Sequence, residues 1–168
     1  MRSWAVFDSP LQNGLHTIKY RGNIPLGEAL ALQMVDFVQS LAWAIDVLIP
    51  VPLGKKRLRE RGYNQVALVA EPLAYHTGML YLPLSLWKAR ETRSQVGLNV
   101  SQRYENVHNA YQADPRGVSG KSILLMDDVA TTGSTISSCT EALLSAGASS
   151  VYAITIARAL SHHDLNRV

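Results

Sequence analysis

A single cysteine, Cys139, among 168 residues leaves no partner for an internal disulfide and no set of thiolates for a cysteine-rich zinc site. Such a chain suits a reducing compartment, so a cytoplasmic location is expected. Long apolar runs are missing too: the stretch from Ala29 to Leu53 is interrupted by Asp36 and Asp46, and Met1-Arg2-Ser3-Trp4 opens no apolar segment with a cleavage pattern. Neither a membrane span nor a signal peptide is expected. Charge of one sign is scarce, because 16 basic residues against 13 acidic ones give only +3. That balance biases partners toward anions without demanding a polyanion. Repeats, low-complexity tracts and linkers are absent, as is the Gly-x-x-x-x-Gly-Lys-Ser/Thr loop that would point to nucleoside-triphosphate hydrolysis. The length supports one sizeable core, and residues 1–168 read as one domain.

What is present is an alternation of periods. After about twenty mixed residues, Pro25 can start a helix whose apolar positions Leu26, Leu30, Met34, Val38, Leu41 and Ile45 recur at spacings of four and three. Val47 to Leu53 is apolar, branched and closed by Pro50, Pro52 and Gly54, which reads as a buried strand. Asn64 to Thr77 has helical spacing with Gly78 as its terminator, and Pro72 should kink or shorten it. Leu80 to Trp87 is the second expected strand, Ile123 to Met126 the third and Val151 to Ile156 the fourth. Lys88 to Asn99 shows no period and reads as a loop, and Thr135 to Ala146 reads as a helix capped by Gly147. Strands alternating with helices, and apolar enough to be covered on both faces, imply an α/β fold with a doubly wound, mostly parallel sheet.

The chemistry concentrates in Ile123 to Thr135. There a buried strand leads into Asp127 and Asp128, and then into a small, hydroxyl-rich turn opening a helix. Amides at a helix start lack internal partners and sit at the positive end of the dipole, so a phosphate there accepts several hydrogen bonds. Gly133 permits close approach, and Thr131, Thr132, Ser134 and Thr135 can add hydroxyl donors while their small size leaves room for the anion. Two carboxylates would repel that phosphate. They suit a vicinal diol on the same ligand, such as the 2′ and 3′ hydroxyls of a ribose 5-phosphate. The plainer alternative is a strand-to-helix turn with ordinary N-capping hydroxyls.

A second cluster follows the first strand. Lys55, Lys56, Arg57, Arg59 and Arg61 lie just beyond Leu53 and Gly54, at the carboxyl end of a strand, where ligand sites of open α/β sheets lie. Cations and exposed amides there could neutralise a leaving pyrophosphate, although such a run is by itself more often a solvated face or a nucleic-acid patch. The histidines share no element with a second ligand type, so no protein-held metal is expected. Trp4, Trp43 and Trp87 suit a core or an interface better than base stacking.

The run from Ile123 to Thr135 closely resembles the phosphoribosyl diphosphate (PRPP) motif of type I phosphoribosyltransferases. Pro50-Val51-Pro52-Leu53 followed by Arg57-x-x-x-Arg61-Gly62-Tyr63-Asn64-Gln65 is similar to the signature of the ComF family of competence-associated proteins. His16-x-x-Lys19-Tyr20-x-Gly22, Arg90-x-Thr92-x-x-Gln95-x-x-Leu98 and Arg103-x-x-Asn106-Val107 agree, and the resemblance spans roughly residues 14 to 160. The four-cysteine zinc module that precedes this domain in longer members is not among these residues.

The resemblance implies a core over about residues 45–160 and a small hood at about residues 1–24. It implies a 5′-phosphate loop at Ala130 to Thr135, ribose contacts from Asp127 and Asp128, and a pyrophosphate loop at Leu53, Gly54, Lys55, Lys56, Arg57 and Arg61. Arg90 and Gln95 would belong to a closing loop, the rival being a solvated connection. Lys19 and Tyr20 would face an acceptor base or, on the reading slightly favoured, simply pack. Mg²⁺ would be carried by PRPP, and the second substrate would be a nitrogenous acceptor. The rivals to transfer are a non-catalytic PRPP or nucleotide sensor and an accessory of the DNA-uptake machinery. A homodimer is also an expected partnership.

Overall fold

A computed structural model describes residues 1–90 and 110–159. Its centre is a five-stranded, wholly parallel sheet in the order β1 (Arg2–Val6), β7 (Ser150–Arg158), β6 (Ser122–Ala130), β2 (Val47–Pro50), β3 (Leu80–Tyr81). Ile123, Leu124, Leu125 and Met126 in β6 and Val47, Leu48 and Ile49 in β2 are wholly buried. That is the consequence of helical layers on both faces, which make every position of a central strand a core position. Leu48, Leu124, Met126 and Ile154 face α1 (Ser9–Arg21), α2 (Ile24–Ser40) and α4 (Ala67–Thr77). Val47, Ile49, Ile123 and Leu125 face α6 (Ser134–Ser145) and an antiparallel ribbon of β4 (Leu86–Lys88) and β5 (Tyr111–Ala113). The expected α/β class with a mostly parallel sheet is thus the observed one.

Several boundaries differ from the sequence reading. The mixed opening residues show no period in the sequence, yet Arg2–Val6 pairs with β7 as an edge strand, so the sheet itself starts at Arg2. The chain then forms α1, whose N-cap Asp8 accepts from the Leu11 amide. The second helix stops at Ser40 instead of running on to Ile45, and the chain leaves it through Ala42 at φ 51°. Leu80–Trp87 is not one strand. Pro83 and a turn closed by Ser85 N–H to Leu82 O separate β3, in the main sheet, from β4, in the ribbon. Pro72 sits inside α4 without ending it; the late start at Ala67 follows from the Asn64 side chain, which accepts from the Val66 amide at 3.1 Å. The basic run expected as a loop is α3 (Lys55–Arg61), and α5 (Pro115–Val118) is a short turn before β6. Among the described residues no helix is long and apolar enough to cross a membrane.

Candidate functional site

The carboxyl ends of β2 and β6 lie side by side in the sheet, and both clusters singled out in the sequence start there. β6 is longer than the four residues expected. Because β7 offers a partner as far as Arg158, pairing continues through Asp127 and Val129 to Ala130. The acidic pair therefore lies within the strand, and strand alternation sends its members to opposite faces.

Asp128 belongs to the face of α4, where its Oδ2 accepts from Gln65 Nε2 at 3.0 Å and its Oδ1 from the Val129 amide at 2.7 Å. Asp127 belongs to the face of α6, and its Oδ1 accepts from the Asp128 amide at 2.9 Å. Burial pushes the Asp127 carboxyl well above its ordinary value, and the Asp128 charge adds to the effect. Cys139 on α6 is raised as well, first by burial and then by Asp127, with Lys88 of β4 opposing.

Beyond Ala130 the chain turns through Thr131 and Thr132, both exposed, to Gly133 at φ 77°. A β-carbon is disfavoured in that conformation, which explains why glycine stands at the entry to α6. Thr132 Oγ1 and Ser134 Oγ lie 2.8 Å apart, and the Ser137 amide donates to Gly133 O as the first helical bond. No acidic residue occupies the first turn. Asp127, Thr131, Thr132, Gly133, Ser134 and Thr135 line one small cleft, of about 230 Å³ with its open mouth. The structure thus brings together the proposed phosphate turn and the first acidic residue.

The second cluster is organised differently from the expectation. α3 buries none of its residues, starts after Gly54 without a side-chain cap and ends at Gly62, φ 84°. Lys55, Lys56 and Arg57 are exposed. Arg61 instead points inward: its Nη1 donates to Gln65 Oε1, and its guanidinium lies over the Tyr20 ring at 5.8 Å. The residues that follow each fasten a different element. Tyr63 Oη donates to Ile18 O of α1 at 2.8 Å, Asn64 Nδ2 donates to Val51 O after β2 at 2.9 Å, and Gln65 reaches Asp128. In the sequence, Tyr63, Asn64 and Gln65 stand out as marks of the family resemblance, and their contiguity with the basic run is the signal that links them to the site.

Of the other expected residues, Lys19 lies over Tyr20 at 5.4 Å, His16 meets the same ring at 4.5 Å, and Tyr20 stays 61% exposed near Arg61. Arg90 follows β4, its amide donating to Ala110 O at 3.3 Å. Gln95 lies outside the described residues. Trp43 stacks on Tyr152 at 4.7 Å and Trp4 packs on the core, whereas Trp87 is 40% exposed.

The five-stranded parallel sheet with helices on both faces is similar in fold to solved phosphoribosyltransferases. The adenine phosphoribosyltransferase of Thermoanaerobacter pseudethanolicus shares it at a TM-score of 0.52 and 14% identity, over 82% of this chain and 83% of that one. The UMP synthase of Leishmania donovani does so at 0.51 and 13%, over 84% of this chain and 24% of that one. Residues 62–166 match the phosphoribosyl transferase domain, and the chain belongs to that family, in its ComF branch. The DNA utilization protein YhgH of Salmonella typhi is 30% identical over 159 residues, 92% of this chain and 70% of that protein. Competence protein F of Haemophilus influenzae is 31% identical over 116 residues, 68% of this chain and 51% of the relative.

Proposed function

We propose that this chain binds PRPP and transfers its phosphoribosyl group to a nitrogenous acceptor. The supporting observation is the shared cleft of Asp127 with Thr131 to Thr135, which sets carboxylate acceptors beside amide and hydroxyl donors on one short segment. In the reaction the acceptor nitrogen forms a bond to C1 of the ribose while the bond from C1 to the pyrophosphate oxygen breaks. The electron pair leaves with pyrophosphate, and the acceptor loses a proton to solvent. The turn would hold the 5′ phosphate, the acidic pair the ribose hydroxyls, and the exposed cations of α3 the leaving group. Positioning and electrostatics would then carry most of the acceleration.

The acidic side chain that lines the cleft is that of Asp127, with Asp128 next to it in the strand, and among the described residues no three His, Cys, Asp or Glu side chains converge. Such a pair fits Mg²⁺ riding on substrate oxygens and water, with one or two protein carboxylates at most. When bound, the ion would offset the negative charge growing on pyrophosphate. A cytoplasmic location goes with this reading, supported by the single buried thiol of Cys139. A homodimer is an expectation that sedimentation of the chain checks.

Calorimetry with PRPP and Mg²⁺, followed by a pyrophosphate-release screen over nitrogenous bases, tests the proposal. Binding with release supports transfer, binding without release for any acceptor turns the reading to a sensor, and no binding removes both. The names DNA utilization protein and competence protein, with the solvent-facing cations of α3, favour a second reading in which α3 contacts nucleic acid. That reading requires oligonucleotide binding that weakens steeply with salt.

A further inference from the structure

Gln65 is the point where the basic segment and the acidic pair meet. It is only 9% exposed, and a buried amide needs partners for both of its ends. Its Oε1 accepts from Arg61 and its Nε2 donates to Asp128 at 3.0 Å. That orientation is dictated chemically, since a guanidinium can only donate and an ionised carboxylate can only accept. Asp128 Oδ1 takes the Val129 amide, so both of its oxygens are held by the protein, while a carboxylate's further lone pairs can still serve a ligand.

The neutral character of the link has a consequence. Were Arg61 paired directly with Asp128, the carboxylate would lose much of its acceptor strength and its free rims to a forked guanidinium. Interposing an amide holds the carboxylate in one rotamer while leaving its charge intact. It also turns the Arg61 cation toward Tyr20, at 5.8 Å, at the seam of α1 and α3. Side-chain length matters equally: Gln65 spans from α3's end to β6, and asparagine is one methylene too short for the same pair of bonds.

We infer that Gln65 is a positioning residue for ribose recognition, fixing Asp128 through a charge-neutral link anchored on Arg61. The inference rests on the phosphoribosyl reading above, and its experiment separates the two. The intact chain is titrated with inorganic phosphate and with ribose 5-phosphate, following amide shifts by NMR, for wild type, Gln65→Leu and the isosteric Gln65→Glu.

Phosphate alone engages only the Thr131 to Thr135 turn; ribose 5-phosphate adds the hydroxyl contacts to the acidic pair. The wild type is expected to prefer ribose 5-phosphate. Gln65→Leu should lose that preference by about tenfold with phosphate affinity unchanged, the size of one hydrogen bond to a charged group. Gln65→Glu, which keeps Arg61 but sets an anion against Asp128, should lose at least as much. Retained preference in both variants overturns the Gln65 role, as does a parallel loss of both ligands, which marks a merely structural residue. A wild type with no preference for the sugar phosphate overturns the ribose reading itself and the Gln65 role with it.

Discussion

The carbonyl oxygen of Leu68 lies 2.5 Å from where a β-carbon on Gly27 would stand. Leu68 is four residues before Pro72, which has no N–H to offer it and whose ring crowds the carbonyl at that spacing. The proline inside α4 and the glycine in the first turn of α2 thus serve one helix crossing. Helix propensity alone would favour alanine at position 27 by about 1 kcal/mol. The crossing reverses the sign, because backbone, not a flexible side-chain end, must move. Gly27→Ala should destabilise the chain by about 1–3 kcal/mol in urea unfolding, the usual penalty of overpacking. A stabilised variant would show that the two helices can part without loss.

How far the sequence announced this depends on the range of the interaction. β2, β6 and α6 were legible because burial on both faces writes a continuous apolar run, as in Ile123 to Met126, or a clean helical period, as in Ile136, Cys139 and Leu143. β1 was not, since an edge strand paired only to β7 carries a mixed pattern of exposure. β4 and β5 are three residues each and gain their identity only from one another. α3 has no buried face, so no period could reveal it. In the site, the acidic pair and the turn are contiguous and were read directly, whereas Gln65 and Asp128 lie 63 positions apart and meet only through the fold.

A pH prediction follows from Asp127. Its folded-state carboxyl is raised above the ordinary 3.8 by burial and by Asp128, so between that value and the folded one the native state holds a proton that the unfolded chain has released. Stability from this group is complete below about 3.8 and is lost as pH rises through the folded value. In the ligand-free chain, Asp127→Asn should remove this slope and unfold later than wild type in urea at neutral pH. The same substitution should weaken ribose 5-phosphate binding, a trade of stability against function. Identical pH slopes in the two proteins would contradict the burial assigned to this carboxyl.

Asn64 holds the entry to α4 from two sides, donating to Val51 O at 2.9 Å and accepting from the Val66 amide at 3.1 Å. α3 contributes little to its own stability, its Lys56–Glu60 pair being exposed and 4.0 Å apart. The segment therefore depends on such anchors. Asn64→Ala should cost about 1–3 kcal/mol, from one lost donor and one orphaned amide. Asn64→Asp keeps the acceptor alone and should fall between. Hydrogen exchange checks the mechanism: faster exchange should appear first at Val66 and along α3, before the strands.

The exposed cations of α3 separate the two functional readings. Lys55, Lys56 and Arg57 lie at the carboxyl end of β2, beside β6, while Arg61 is committed to Gln65. If α3 meets pyrophosphate, the triple substitution Lys55→Ala, Lys56→Ala and Arg57→Ala removes charge from that part of PRPP only. Affinity for PRPP should fall about tenfold or more, as expected for charge-assisted bonds, with ribose 5-phosphate binding unchanged. If α3 instead meets nucleic acid, PRPP affinity should hold, and oligonucleotide binding should weaken with a shallower salt slope between about 50 and 200 mM, since fewer counterions are released. Calorimetry with both sugar ligands and a fluorescent single strand reads the two outcomes in one set of variants. Because α3 carries no buried residue, these substitutions leave the core untouched and a lost signal reports on contact, not on folding.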